Sequence, residues 1–190
     1  MTIHLASAAQ AAGKRVAVLD MDTDQQSVKG WADRRAKAGL EPFPVYCPAE
    51  SELENAIEAA KNDGVELLFI DSPLHAAPLA ARIARSADTC LVPVSPDLMN
   101  MQTVGRSMSL VGRERESAFV MSRCPPRAPE INDLHEFLRK KGWRVFGPIH
   151  DRRIVARSIN SGSTVHELEP DGAAATEIDA LLADLLEMLK

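Results

Sequence analysis

The sequence predicts an α/β protein built on a doubly wound, mostly parallel sheet with helices on both faces. Short continuous apolar runs, the pattern of strands buried on both faces, alternate along the chain with longer segments of helical periodicity. Strands and helices in alternation imply parallel strands joined by crossover helices. No linker, repeat or low-complexity tract interrupts the 190 residues, so we expect a single domain over residues 1–190.

The first half of the chain contains clear element boundaries. Gly13 is well placed to close the first helix, and Asp63-Gly64 to close the third. The predicted strands are apolar runs, and a weaker run at 43–46 is a further strand candidate. The predicted elements are a helix at 2–12, a strand at 16–19, a helix at 27–38, a helix at 50–62, a strand at 67–70 and a helix at 78–86.

The second half continues the alternation and ends in a long amphipathic helix. Prolines within 124–129 block both helix and ladder there, so this stretch is predicted to be a loop. The other predicted elements are strands at 90–94, 118–122 and 144–146, and helices near 99–112 and at 131–141, 151–161 and 173–189.

Composition and charge narrow the function classes. Hydrophobic residues make up 45% and charged residues 26%, ordinary values for a globular protein, and neither a membrane span nor a signal peptide is predicted. The three scattered cysteines fit no disulfide framework or metal site, so we expect a reducing cytoplasm. A net charge of −5 means that any DNA contact would need a local basic patch.

Three carboxylates follow the first predicted strand, at Asp20, Asp22 and Asp24. Ligands of doubly wound sheets bind at the carboxyl ends of strands. Closely spaced carboxylates repel each other, and they are useful around a bound cation or a water molecule that must be oriented. The alternative is a solvated turn with an aspartate that caps the next helix.

Two further strand ends carry candidate residues. An apolar strand ending in Asp71, followed by Ser72 and Pro73, has the Walker B pattern, whose aspartate usually holds magnesium. An aspartate that caps the next turn is the simpler interpretation. Ser95, Pro96 and Asp97 follow the next strand and could flank a nucleotide base, although an ordinary proline turn also explains them.

A cluster of basic residues lies near the start of the predicted helix at 151–161. The cluster comprises Arg152, Arg153 and Arg157. It is a candidate patch for DNA phosphates, or else a solvated helix face, which the neighbouring Asp151 favours. Basic side chains that could extend it are Arg123, Arg127, Arg139, Lys140 and Lys141.

Taken in order, these segments resemble the ParA family of partition ATPases, in the deviant-Walker group of P-loop NTPases that includes MinD. The run IHLASAAQAAGKRVAVLD, followed by Asp-x-Asp, Gln, Ser and Trp31, is similar to the segment after the family's phosphate loop. LLFIDSP and LVPVSPD resemble the next strand ends. The tail from Arg152 resembles that of short plasmid-type ParA proteins.

The resemblance implies an ATP hydrolase that works with Mg²⁺ as a homodimer sandwiching two ATP molecules. Such a dimer binds DNA without sequence preference, and a ParB-like or other centromere-binding partner stimulates hydrolysis. We therefore expect a cytoplasmic, nucleoid-associated protein without stable membrane association.

The resemblance also implies roles for individual residues. Asp22 would orient the attacking water and, with Asp71, hold the metal. The implied nucleotide-site residues are Asp20, Asp71, Ser72, Pro73, Pro96 and Arg123, and the implied DNA or partner contacts are Arg152, Arg153 and Arg157. The family pattern Asp-x-Asp-Pro-Gln is here Asp-Met-Asp-Thr-Asp-Gln-Gln, so Asp24 competes with Asp22, which counting forward from Gly13 favours.

One part of the family pattern is missing from these residues. No GxxxxGK[ST] motif occurs, and the family's first strand and phosphate loop would lie before Met1. Without them we expect very poor nucleotide affinity and two ladders of unpaired backbone groups. Since residue 2 already lies in a helix without a capping residue, we expect the complete protein to begin about 15 to 20 residues earlier.

Other functions stay open at this point. A degenerate relative could bind DNA or a partner without hydrolysis. A MinD-like membrane-associated ATPase is less favoured, because the last helix carries Asp and Glu on its polar face, where a membrane-surface helix would carry Lys and Arg. Relatives of dethiobiotin synthetase or nitrogenase reductase share the scaffold, although no suitable cysteine pair supports an iron–sulfur protein.

Overall fold

The strands form two separate parallel sheets. The computed structural model describes residues 1–73, 77–96, 104 and 116–190. Within them the strand orders are β2-β1-β3 and β4-β5-β6, and every pairing between these strands is parallel. The strands are β1 Val16–Asp20, β2 Val45–Tyr46, β3 Leu67–Asp71, β4 Thr89–Val94, β5 Glu116–Met121 and β6 Arg144–Phe146.

The helices follow the predicted order, with one short addition. Their bounds are α1 Thr2–Ala11, α2 Ser27–Lys37, α3 Leu53–Asn62 after a 3-10 turn at Glu50–Glu52, α4 Ala77–Ser86, α5 Glu130–Lys140, α6 Arg153–Asn160, α7 Val165–Leu168 and α8 Ala173–Met188. The addition is α7, which a capping box between Thr164 and Glu167 starts. The helix predicted near 99–112 lies outside the described residues, apart from the buried Val104.

Two predicted strands have different lengths in the structure. The strand predicted at 43–46 is reduced to Val45–Tyr46, although the Pro44 carbonyl still accepts a hydrogen bond from the Val18 N–H at 2.9 Å. β5 begins two residues before the predicted 118, because Glu116 pairs with Thr89 at the start of β4. The lengths of β2 and β5 therefore reflect how far each strand pairs with its neighbour, β1 or β4.

β1 is the centre of the first sheet and is buried along its whole length. It pairs with β2 on one side and with β3 on the other. The registers align Val16 with Leu67 and Asp20 with Asp71, so β1 and β3 end at the same level. Gly13, at φ 83°, closes α1 in the left-handed region and returns the chain towards β1.

One core cluster connects the two sheets through α1 and α8. It includes Leu5 of α1, Val18 of β1, Val120 of β5 and Leu181 of α8. On the opposite face of the first sheet, α4 packs against a smaller cluster, so helices cover both faces as predicted. The α/β fold with parallel strands is thereby confirmed.

A polar tie holds α2 against α7. The buried Trp31 donates its indole N–H to the Ser163 carbonyl at 2.9 Å. Arg35 lies 5.4 Å from the centre of the Trp31 ring and forms a two-pronged pair with Glu167, at 3.0 and 2.7 Å. A buried guanidinium is tolerated when it is paired in this way.

Within the described part of the chain, no helix combines the length and the apolar composition needed to cross a lipid bilayer. The apolar face of α8, which includes Ile178 and Leu181, is buried in the core cluster.

Candidate nucleotide site

Two aspartates lie side by side at the carboxyl edge of the first sheet. Asp20 ends β1, Asp71 ends β3, and the two are register partners. The Thr2 hydroxyl at the start of α1 donates a hydrogen bond to Asp71 Oδ1 at 2.5 Å. The first turn of α1 therefore lies at the same edge as the two strand ends.

Asp20 organises the loop that follows β1. Its side chain is only 1% exposed, and its Oδ2 accepts the backbone N–H groups of Val28 and Lys29, both at 3.0 Å. Its Oδ1 accepts the Asp22 N–H at 3.2 Å. The residue before α2, Gln26, makes no side-chain capping bond, and Asp20 satisfies the first helical donors instead.

Asp22 and Asp24, the two candidates for the water-orienting role, have different surroundings. Asp22 is half-buried, and its Oδ1 accepts the N–H of Gln25, three residues further along the chain, at 2.9 Å. Its charge acts on Asp71. Asp24 is exposed in the following turn. Position therefore favours Asp22 as the partner of Asp71.

The electrostatics of this edge disfavour a negative charge on Asp71. Burial raises the pKa of its carboxyl group above the ordinary value. The Thr2 hydrogen bond and the Met1 amino group act to lower that pKa, while the charges of Asp20 and Asp22 raise it further. An added cation beside Asp71 would relieve this repulsion.

Arg123 reaches the same edge from the second sheet. It lies just after β5 with φ 52°. Burial lowers the pKa of the Met1 amino group, with Asp71 raising it and Arg123 lowering it further. The Met1 amino group is thus within electrostatic reach of both the end of β3 and the turn after β5.

The other predicted residues have less definite positions around this edge. Ser72 is exposed and Pro73 half-buried directly after β3, and Pro96 is half-buried after β4. Asp97 lies outside the described residues. The sequence did not predict that Thr2 or the Met1 amino group would contact or influence Asp71, and a threonine in a first helical turn gives no specific signal for this.

Among the residues that the structure describes, no three or more His, Cys, Asp and Glu side chains are grouped so as to hold a metal ion. Two carboxylates are sufficient for one kind of ion, because Mg²⁺ often takes one or two of them and completes its shell with phosphate oxygens and water. Asp22 and Asp71 have the chemistry for such a site.

The three predicted DNA-contact arginines have different environments. Arg152 donates to Glu177 Oε1 at 2.7 Å, and the His150 backbone N–H donates to Glu177 Oε2 at 3.0 Å. Burial acts to raise the pKa of Glu177, but these bonds hold it below its ordinary value. Arg153 and Arg157 instead line an open groove of about 690 Å³ along α6, together with Ile154, Asn160, Ser161 and Glu169.

The family of the chain follows from a sequence match. The model of the CbiA family, described as the CobQ/CobB/MinD/ParA nucleotide binding domain, matches residues 1–165. The chain belongs to this family. No sequence among the curated proteins is a significant match to it.

The fold of this CbiA-family domain is shared with several solved structures. The MinC:MinD cell division protein complex of Aquifex aeolicus has a TM-score of 0.76 at 15% identity, over 98% of this chain and 89% of that one. MinD of Pyrococcus furiosus has a TM-score of 0.69 at 17% identity, over 98% and 92%. A putative plasmid partition protein of Borrelia burgdorferi bound to AMPPNP has a TM-score of 0.69 at 15% identity, over 98% and 91%.

The similarity to these structures shows the fold alone. Membership of the CbiA family indicates a nucleotide-binding domain. Open α/β sheets bind ligands outside the carboxyl ends of their strands, and Asp20, Asp22 and Asp71 lie at such an edge.

Proposed function

We propose that the protein is a ParA-like partition ATPase whose nucleotide site is the carboxyl edge of β1 and β3. The observation that supports this most is the register pairing of Asp20 with Asp71, with Asp22 and the start of α1 beside them. Within a nucleotide-binding family, this edge supplies carboxylates of the kind that an ATP–Mg²⁺ site needs.

The residues at this edge have separate proposed roles. Asp71 and Asp22 would hold Mg²⁺, whose charge would offset the burial and the carboxylate repulsion that raise the pKa of Asp71. Mg²⁺ supplies charge neutralisation on the transferred phosphoryl group. Asp20, whose oxygens already accept three backbone N–H groups, fixes the position of Asp22. Ser72, Pro73, Pro96 and Arg123 would border the nucleotide.

ATP turnover tests the role of Asp22. In the protein as its gene encodes it, Asp22→Ala should abolish ATP hydrolysis and leave nucleotide binding largely intact, because the proposed role of the side chain is to orient water. Asp24→Ala is the matched control and should hydrolyse ATP at close to the parental rate, since Asp24 is exposed in the turn. Parental turnover in Asp22→Ala would remove the role from this residue.

The wider proposal is that ATP brings two chains into a dimer that binds DNA through its backbone phosphates. Arg153 and Arg157 are the better candidates for these contacts, because Arg152 is paired with Glu177. A groove with two guanidinium groups suits phosphates, although Glu169 on its rim weakens the field. A ParB-like partner would then stimulate hydrolysis on a nucleoid-bound, cytoplasmic dimer.

The salt dependence of DNA binding tests this surface. In the presence of ATP, Arg153→Ala/Arg157→Ala should weaken binding to duplexes of any sequence and reduce the slope of log affinity against log salt by about 2. Lys37→Ala/Lys61→Ala removes the same charge at exposed sites on α2 and α3, outside the basic cluster. An equal loss in this control would mean that net charge, and not the groove, is responsible.

A MinD-like membrane role is the second candidate, because MinD proteins are among the structures that share the fold. The burial of the apolar face of α8 against the core speaks against it. Flotation with anionic lipid vesicles in the presence of ATP separates the two: the partition proposal expects the protein to stay in the vesicle-free fraction, and co-flotation would favour the membrane role.

A further inference from the structure

The segments that follow β5 and β6 pair with each other again beyond the carboxyl ends of the two strands. The Ile149 N–H donates to the Met121 carbonyl at 2.8 Å, and the Ile149 carbonyl accepts the Cys124 N–H at 3.1 Å. The Asp151 N–H donates to the Cys124 carbonyl at 2.9 Å, and Cys124 and His150 form a parallel bridge. These bonds continue the β5–β6 ladder past the strands themselves.

Arg123 lies in the turn that this continued ladder encloses. Ser122, the residue before it, donates its N–H to the Val94 carbonyl at 2.8 Å. Both backbone groups of Cys124, the residue after it, are bound by residues 149–151. Arg123 itself has φ 52°, in the left-handed region, where a residue other than glycine stays only when its surroundings hold it. The conformation of Arg123 therefore depends on the segment that binds Cys124.

A carboxylate on α8 binds the opposite side of that segment. The N–H groups of Ile149 and Asp151 point towards the chain after β5, so the His150 N–H between them points away from it. Glu177 Oε2 accepts this N–H at 3.0 Å. Glu177 Oε1 lies 2.8 Å from His150 Nδ1 and accepts a hydrogen bond from Arg152 at 2.7 Å. One carboxylate thus fixes the segment from the side that faces away from β5.

The negative charge of Glu177 reaches the residue next to Arg123. Burial acts to raise the pKa of Glu177, but its bonds to Arg152 and His150 hold that pKa below the ordinary value, so the carboxylate is ionised at neutral pH. Burial, and then the charge of Glu177, raise the pKa of the Cys124 thiol to about 11. The carboxylate is therefore within electrostatic reach of Cys124.

We propose that Glu177 is a positioning residue for Arg123, which it fixes through residues 149–152. The hydrogen bonds alone carry this link between α8 and the turn after β5. Its effect on ATP rests on the proposed nucleotide site, where Arg123 would border the nucleotide.

Amide hydrogen exchange in the absence of nucleotide tests the link. In Glu177→Ala, exchange at the Cys124 and Asp151 N–H groups should become faster by about tenfold or more, because their segment loses its partners on the far side. The Val18 N–H, bound to the Pro44 carbonyl in the first sheet, should change much less. An equal increase at Val18 would mean that the whole protein is less stable, and it would overturn the proposal.

Two further variants serve as controls for the lost carboxylate. Asp179 also lies on α8 and pairs with a histidine, His166, at 2.8 Å, but it ties α8 to α7. Asp179→Ala should leave exchange at Cys124 at the parental rate. Glu177→Gln keeps one oxygen that can accept the His150 N–H and should restore part of the protection. Equally fast exchange in Asp179→Ala and Glu177→Ala would overturn the proposal.

ATP binding tests the consequence at the nucleotide edge. In the presence of Mg²⁺, Glu177→Ala should raise the dissociation constant for ATP by about tenfold, because a displaced contact binds less well, and Asp179→Ala should leave it unchanged. Faster exchange in Glu177→Ala with a parental dissociation constant would show a purely structural anchor and overturn the positioning role. Failure of the parental protein to bind ATP would instead refute the proposed function, and the exchange rates would still decide whether Glu177 fixes the Arg123 turn.

Discussion

β1 and β3 are neighbouring strands of equal length, and both end in aspartate, yet their surroundings differ. β1 lies between two strands and is fully buried, while β3 has a strand on one side and is half-buried throughout. Their terminal aspartates differ in the same way. Asp20 accepts three backbone N–H groups, whereas Asp71 accepts one hydroxyl group and has a raised pKa.

This difference shows that the burial of a strand depends on what lies on each side of it, because both strands are equally apolar. The closed side of the first sheet is a finished core. The open side combines an apolar strand edge with a carboxylate that is disfavoured in its charged form, and a cation beside Asp71 would stabilise that charge.

Matched leucine truncations should give the largest effect. Leu19 of β1 and Leu68 of β3 pack in the same cluster, but Leu19 is 1% exposed and Leu68 half-buried. Leu19→Ala should lower the free energy of unfolding by about 2 to 5 kcal/mol, and Leu68→Ala by less than half as much. Urea unfolding of both variants measures this, and equal losses would contradict the open-edge description of β3.

Lowering the pH should destabilise the folded protein through the buried His4. This side chain is 1% exposed, and its Nδ1 accepts the Val165 N–H at 3.4 Å. Burial, and then the Met1 amino group and His166, lower its pKa from 6.5 to about 4. The unfolded chain takes up this proton first as pH falls, so the free energy of unfolding should decrease by up to about 3 kcal/mol between pH 6.5 and 4.

Urea unfolding at several pH values, with His4→Gln as the comparison, isolates this contribution. The variant has no proton to take up at this position, so its stability should depend less on pH across the interval. The same pH dependence in both proteins would mean that His4 is not the group responsible.

Removing the charge of Asp20 should have a moderate effect. In Asp20→Asn, one carboxylate oxygen becomes an amide nitrogen that cannot accept, while three backbone donors, two at the start of α2 and one in the preceding loop, still need partners. We expect a loss of about 1 to 3 kcal/mol in the free energy of unfolding. Thermal or urea unfolding at pH 7 measures it, and an unchanged stability would show that the loop has other anchors.

Removing the charge of Asp71, on the open side, should have the smallest effect on the free energy of unfolding, and the sign should be opposite to that for Asp20→Asn. Because the pKa of Asp71 is raised on folding, its contribution to stability is present below its unfolded pKa of 3.8 and is lost as pH rises through the folded value. Asp71→Asn should therefore leave the unliganded protein as stable as before, or slightly more stable, at pH 7. A clear loss of stability would mean that the ionised carboxylate is already well compensated.

The sequence predicted most elements but not their surroundings. Apolar runs identified β1 and β3 equally well, because periodicity reports a strand's own residues and not whether a neighbour is paired to it. Asp20 was predicted as a nucleotide contact and Arg152 as a DNA contact. In the structure, Asp20 accepts the backbone N–H of Val28, and Arg152 pairs with Glu177, 25 positions later. The capping box of α7, Thr164 with Glu167, was legible in the sequence and was missed.

Titration of labelled ATP with Mg²⁺ into the protein as its gene encodes it, and into its Asp71→Asn variant, tests the central claim most directly. We predict that the parental protein binds ATP in the presence of Mg²⁺ and that Asp71→Asn weakens this binding. Failure of the parental protein to bind ATP would contradict a nucleotide site at this edge and would leave a non-hydrolysing module that binds DNA or a partner.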